Sequence, residues 1–185
     1  LQKNKFFYQN LRLVSEQINT NKNIYEKALL IRKTEDASKY SPIGNRGMSV
    51  FTRSSGYFAI DEKNRTNIEN EETIVILLIE GEEGINSLDH ICNLDQIDVI
   101  YIGTYDLSQS LGVPDDVDSP IVTNAVEKCV KKIRDNGIAA GVLAQSEEDI
   151  EKWIDIGVQF IPYMVDCGIF FQACNHVVHT FNKYK

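Results

Sequence analysis

Two apolar runs and the carboxylates that follow them constrain this chain more than anything else in it. Thr-Ile-Val-Ile-Leu-Leu-Ile, starting at Thr73, runs into Glu80; Ile-Asp-Val-Ile-Tyr-Ile-Gly, starting at Ile97, is followed three residues later by Asp106. Continuous Val- and Ile-rich runs bounded by polar residues read as strands buried on both faces of a parallel sheet. Between them, residues 80–94 have the length and spacing of a crossover helix, with Ile85, Leu88 and Ile91 on one side. In such β-α-β units ligands bind outside the carboxyl ends of the strands. Neighbouring strands lie about 4.8 Å apart, so Glu80 and Asp106 at adjacent strand ends can share one cation. Spacing alone leaves a second account open, in which Glu80 caps the next helix and Asp106 caps a turn.

The same alternation continues toward the carboxyl terminus. Ser119 fits an N-cap, Pro120 the first helical position and Asn136-Gly137 a helix stop. Ile-Ala-Ala-Gly-Val-Leu from Ile138 is the next strand. Ser146 with Asp149 resembles a capping box, and Gly157 closes that helix. Val158 to Met164 reads as a fourth strand ending near Asp166, which fits a cap for the last helix over residues 169–184. Strand–helix alternation with right-handed crossovers gives a parallel sheet.

Upstream the pattern changes. Residues 1–39 show no strand, and two stretches, 6–18 and 24–39, carry apolar residues at helical spacing. Residues 40–58 form a loop punctuated by Pro42, Gly44, Gly47 and Gly56, and residues 59–72 read as a short exposed helix. The chain therefore divides into a helical segment (1–39), a loop and polar helix (40–72), and a β/α region with a C-terminal helix (73–185).

Composition excludes several classes of function. A formal charge of −8 without any basic stripe argues against nucleic acid. No apolar run approaches the roughly 20 residues of a membrane span, and no signal peptide is present, so a cytoplasmic location is expected. Cys92, Cys129, Cys167 and Cys174 have no paired spacing and read as reduced structural thiols. His176 and His179 stand three apart on a helix with no third ligand in reach of the pattern, which favours a surface or interface role. His90 and Trp153 read as structural.

Ile-Gly-Thr-Tyr-Asp-Leu-Ser-Gln-Ser-Leu-Gly-Val-Pro (102–114), taken with Leu-Leu-Ile-Glu at 77–80, resembles the class II metal-dependent pyruvate aldolases of the HpcH/HpaI aldolase and citrate lyase family. The likeness extends to Tyr-Ser-Pro-Ile-Gly-Asn-Arg-Gly (40–47), to Asn-Gly-Ile-Ala-Ala-Gly-Val-Leu (136–143), and to the segment ending at Asp166, about residues 25–175 in all. It implies a TIM (β/α)8-barrel type of fold, of which four β/α units preceded by two helices would be the C-terminal half. A full barrel takes about 250 residues, and a chain of 185 that opens on Leu1 is expected to begin inside a longer product.

The resemblance implies a lyase that cleaves or forms a carbon–carbon bond in a hydroxy-2-keto acid through a pyruvate enolate. Glu80 and Asp106 would then hold Mg²⁺ or Mn²⁺, with Co²⁺ also suited. Gly103, Thr104 and Tyr105 would hold the keto-acid carboxylate, and Arg46 would meet an anion at the barrel mouth, unless it simply pairs with a surface carboxylate, as an arginine next to glycine commonly does. Thr104-Tyr105 replaces the family's proline and small residue, and the bulkier tyrosine is expected to narrow the pocket and change the substrate it takes. The family's histidine base and clamping arginine lie upstream of the 40–47 equivalent; before Tyr40 this chain has no histidine and only Arg12 and Arg32. No catalytic acid or base is therefore assigned. A rival reading is an aldolase-like fragment that serves as a binding or assembly module. A homo-oligomer, or a sheet completed by an upstream segment, is expected in either case.

Overall fold

The computed structural model describes residues 11–14, 36–53, 57 and 62–184. Strands β1 (Leu11–Val14), β2 (Ile74–Ile79), β3 (Val99–Ile102) and β4 (Ala139–Val142) run parallel, and their spatial order follows the chain. Helix α1 (Glu62–Glu72) leads into β2. Helices α2 (Glu82–Asn86) and α3 (Leu88–Ile91) join β2 to β3, and α4 (Thr104–Ser110) and α5 (Pro120–Asp135) join β3 to β4. Helix α6 (Glu147–Asp155) follows β4, and α7 (Asp166–Asn182) comes last.

Strand alternation sorts the core. Leu77, Ile79, Ile100, Ile102, Ala140 and Val142 pack against Leu88 and Ile91 of α3 and the apolar side of α5, from Val122 to Ile133. Trp153 joins this core, and its indole N–H donates to the Leu143 carbonyl at 2.9 Å. The opposite sheet face carries Tyr101 and Gly141. A Cβ at Gly141 would meet both the Tyr101 ring and the Phe160 ring at 3.0 Å, so glycine lets the two rings meet edge-on at 6.3 Å.

Several expectations need correction. Residues 11–14 are not helical: Leu-Arg-Leu-Val also has the two-residue period of a strand, and pairing with β2 decides for it. A domain boundary at residue 39 would cut through this sheet. Of the helix expected over 24–39, only 36–39 are described, with 36–38 helical and Lys39 in a bend; the rest lies outside the described residues, as does most of the stretch 6–18. The crossover helix between β2 and β3 breaks at Ser87 into two short pieces. Helix α1 is not simply exposed, because Arg65, Glu69 and Asn70 are buried.

The segment expected as a strand from Val158 makes two isolated parallel bridges, Phe160 with Gly141 and Tyr163 with Ala144. Pro162 has no N–H to give, and Met164 adopts a φ of +52°, which turns the chain out of the ladder. Ser119 caps α5 through its backbone only: its carbonyl accepts from the Thr123 N–H at 2.9 Å and hydroxyl at 3.2 Å. Ser146 does cap α6, taking the Asp149 N–H at 3.1 Å, while Asp149 accepts from the Gln145 N–H at 2.9 Å. Helix α7 starts at Asp166 with Val165 as its cap, so Asp166 is the first helical residue and its carboxylate accepts from the Cys167 N–H. Cys92 and Cys129 are buried thiols, whereas Cys167 and Cys174 are exposed.

Candidate active site

Glu80 and Gly103 are the next positions beyond the paired residues Ile79 and Ile102, so they stand side by side at the carboxyl ends of β2 and β3. The ladder continues that far, since the Gly103 N–H donates to the Ile79 carbonyl at 2.9 Å. A Cβ at Gly103 would lie 3.2 Å from Cγ of Glu80 and 3.5 Å from Leu78. Glycine therefore leaves the space that the Glu80 side chain occupies.

The loop after β2 is clamped to α4. Ser110 Oγ accepts the Glu82 N–H at 2.9 Å and lies 3.3 Å from where a Gly81 Cβ would be. Helix α4 begins at Thr104, directly after β3, and places Asp106 in its first turn. Gly103 supplies no side-chain cap, so the first N–H groups of α4 have no partner of that kind. Burial pushes the Glu80 carboxyl above its ordinary pKa, and the negative charge of Asp106 pushes it further in the same direction. The two carboxylates share one field.

This donor set is hard and incomplete. Among the described residues no group of three or more His, Cys, Asp or Glu side chains is gathered to hold an ion. Two carboxylates with the remaining positions left to water or ligand oxygen suit Mg²⁺ or Mn²⁺ and do not suit a closed zinc cage. His90, His176 and His179 lie exposed on α3 and α7.

Arg46 is not brought together with these residues. Its guanidinium lies 4.5 Å over the Tyr40 ring and 3.4 Å from the carboxylate of Glu69, which also faces Arg65 at 3.9 Å. Glu69 is one turn before Thr73, where β2 is about to begin, and its carbonyl accepts the Thr73 N–H at 2.9 Å. Lys39 donates to the carbonyls of Asn70 and Thr73 at 2.7 and 2.5 Å. Burial pulls the Lys39 ammonium below its ordinary pKa, against the charge of Asp98. This cluster gathers at the amino end of β2, whose span carries the chain roughly 20 Å to Glu80. The loop precedes a helix that feeds a strand start, so it belongs at that end of the sheet. Sequence reading also missed Gln145, whose amide donates to the Tyr105 hydroxyl at 2.6 Å across 40 residues.

A family model described as HpcH/HpaI aldolase/citrate lyase matches residues 18–173. The chain belongs to that family. It is 33% identical over 152 residues to a 2-keto-3-deoxy-L-rhamnonate aldolase of Klebsiella pneumoniae, covering 82% of this chain and 57% of the relative. A Salmonella paratyphi B protein of the same name is 33% identical over 155 residues, 83% of this chain and 57% of its own. The chain thus spans little more than half the length of these relatives.

Solved structures of the family share the fold. A HpcH/HpaI aldolase from Desulfitobacterium hafniense superposes with a TM-score of 0.75 at 20% identity, covering 92% of this chain and 62% of that one. A family member from Burkholderia cenocepacia gives 0.73 at 21% identity, over 93% and 64%. The architecture is α/β, a parallel sheet with helices, as in those structures. No helix among the described residues is long and apolar enough to cross a membrane.

Proposed function

We propose that this chain carries the cation-holding and carboxylate-holding part of an aldolase site that makes or breaks a carbon–carbon bond in a hydroxy-2-keto acid. The observation that carries the proposal is the pairing of Glu80 with Asp106. Two acidic groups close enough for one to raise the other's pKa repel each other, and a divalent cation between them would relieve that repulsion. Family membership and the name of the Klebsiella relative support the keto-acid class.

Glu80 and Asp106 would hold the cation, Mg²⁺ or Mn²⁺ by the chemistry of the donors. When bound, it supplies Lewis acidity toward a 2-keto oxygen and stabilises the pyruvate enolate. The backbone of Gly103, Thr104 and Tyr105, at the open start of α4, would take the substrate carboxylate. Arg46 has no part in this reading, being committed to Glu69 at the other end of β2. The acid–base group would come from residues that complete the sheet beyond β1, in a half barrel closed by further chain or by a second copy. Helix α7, which has no buried residue, would pack on another copy of the chain.

Calorimetric titration with Mn²⁺ tests the proposal. One site is expected in the wild-type chain and none in Glu80→Ala; equal binding by the two would overturn the assignment. Pyruvate release from a hydroxy-2-keto acid by this chain alone is expected about 10²- to 10⁴-fold below ordinary enzymatic rates, the contribution of the absent general acid–base group.

A further inference from the structure

The Tyr105 hydroxyl and the Gln145 amide meet at 2.6 Å at the rim of the candidate site, where α4 approaches the chain leaving β4. Both are held firmly by their backbones. The Tyr105 carbonyl accepts from the hydroxyl of Ser108, a fully buried residue, at 2.7 Å. The Gln145 N–H is fixed by Asp149 within the α6 cap. Ala144, just before it, is bonded on both sides, its N–H to the Pro162 carbonyl and its carbonyl to the Met164 N–H, each at 2.9 Å. The tyrosine nevertheless remains 44% exposed. The pair stands on fixed backbone and keeps one face open, so a ligand can reach its polar atoms.

Its hydrogen-bonding inventory defines what it reads. With one amide N–H on the phenol oxygen, the phenol hydrogen, the second amide N–H and the amide oxygen are left over, donors beside an acceptor. The reversed amide leaves a phenol lone pair and both amide N–H groups, again an acceptor beside donors. A hydroxyl group satisfies both at once, whereas an alkyl tail leaves both unpaired where it displaces water. Tyr105 directly precedes Asp106 and follows the segment proposed for the carboxylate, so a keto acid whose tail runs toward β4 passes this pair.

We propose that Tyr105 and Gln145 are specificity-determining residues that select 2-keto acids with a hydroxylated tail over those with an alkyl tail. This rests on the keto-acid reading of the site. The test is calorimetric affinity, with Mn²⁺ present, for 2-keto-3-deoxygluconate and for 2-oxohexanoate, which have equal chain length. Wild type is expected to favour the hydroxylated acid by about five- to ten-fold, the effect of one net hydrogen bond. Tyr105→Phe and Gln145→Leu are each expected to erase that preference by weakening the hydroxylated acid alone. Wild type without a preference, variants that keep it, or variants that weaken both acids equally would overturn the inference while leaving the keto-acid site intact. Failure of both acids to bind wild type would overturn that reading and this inference with it. An unchanged Mn²⁺ titration in both variants marks them as folded.

Discussion

Gly103 faces Glu80 across the carboxyl ends of β2 and β3, close enough that a single added methyl group would come within 3.2 Å of the Glu80 Cγ. The carboxylate's position therefore depends on a side chain that is missing from its neighbour. Gly103→Ala is expected to push Glu80 from its rotamer at a cost of about 0.5–1.5 kcal/mol, hence a two- to ten-fold loss of Mn²⁺ affinity. Calorimetry on the variant checks this, and an unaltered affinity would show that Glu80 has room elsewhere.

Glu80→Gln is expected to stabilise the metal-free protein at neutral pH. The folded-state pKa of Glu80 is raised, so its contribution to stability is fully present below the unfolded value and is lost as pH rises through the folded one. At neutral pH the carboxylate is charged, partly desolvated and beside Asp106. Thermal melts in chelator should give the variant a higher midpoint at about pH 7 and a gap that closes near pH 4, where the wild-type group is protonated. A lower midpoint for the variant at both pH values would contradict this.

How legible all this was in the sequence varies by element. The Val- and Ile-rich runs of β2 and β3 left no alternative to buried parallel strands, and the carboxylates that follow them were found by counting to the strand ends. Strand β1 was not legible, because four residues of Leu-Arg-Leu-Val satisfy the helical and the strand period equally well and only β2 alongside them decides. Of the two accounts of Arg46, the carboxylate pair is the one found, and the anion contact failed because a motif says what a loop contains and not at which end of a sheet it lies. The signals that could have placed it were the helix α1 that it precedes and the i, i+4 pair Arg65–Glu69 within that helix. Gln145 was invisible: no local pattern links it to a tyrosine 40 residues earlier.

Glu69→Ala would test the amino-end cluster. It removes the carboxylate between Arg46 and Arg65 and leaves the buried Arg65 and the half-buried Arg46 without a counter-charge, at an expected cost of about 3–5 kcal/mol. Mn²⁺ affinity of the folded fraction should stay at the wild-type value. Denaturant unfolding and calorimetry measure the two quantities, and a joint loss would mean the ends of β2 are coupled.

Helix α7 presents Phe170, Phe171, Val177, Val178 and Phe181 to solvent, with no residue buried along its 17. So much exposed apolar surface is expected to drive self-association. Light scattering should give a mass well above the 21.0 kDa of one chain. The double change Phe170→Glu and Phe171→Glu should return it to that value; a monomeric wild type would exclude the association.

The buried ion cluster lies at the amino end of β2 and Glu80 at its carboxyl end, with Asp106 beyond the end of the neighbouring β3 and an apolar core between the two ends. Substitutions that alter what the rim of the site accepts, at Thr104, Tyr105 or Gln145, touch neither the Arg46–Glu69–Arg65 cluster nor the packing of Ile76 and Ile100. The selectivity of the proposed site can therefore be altered at one end of the sheet without touching the ion pairs at the other.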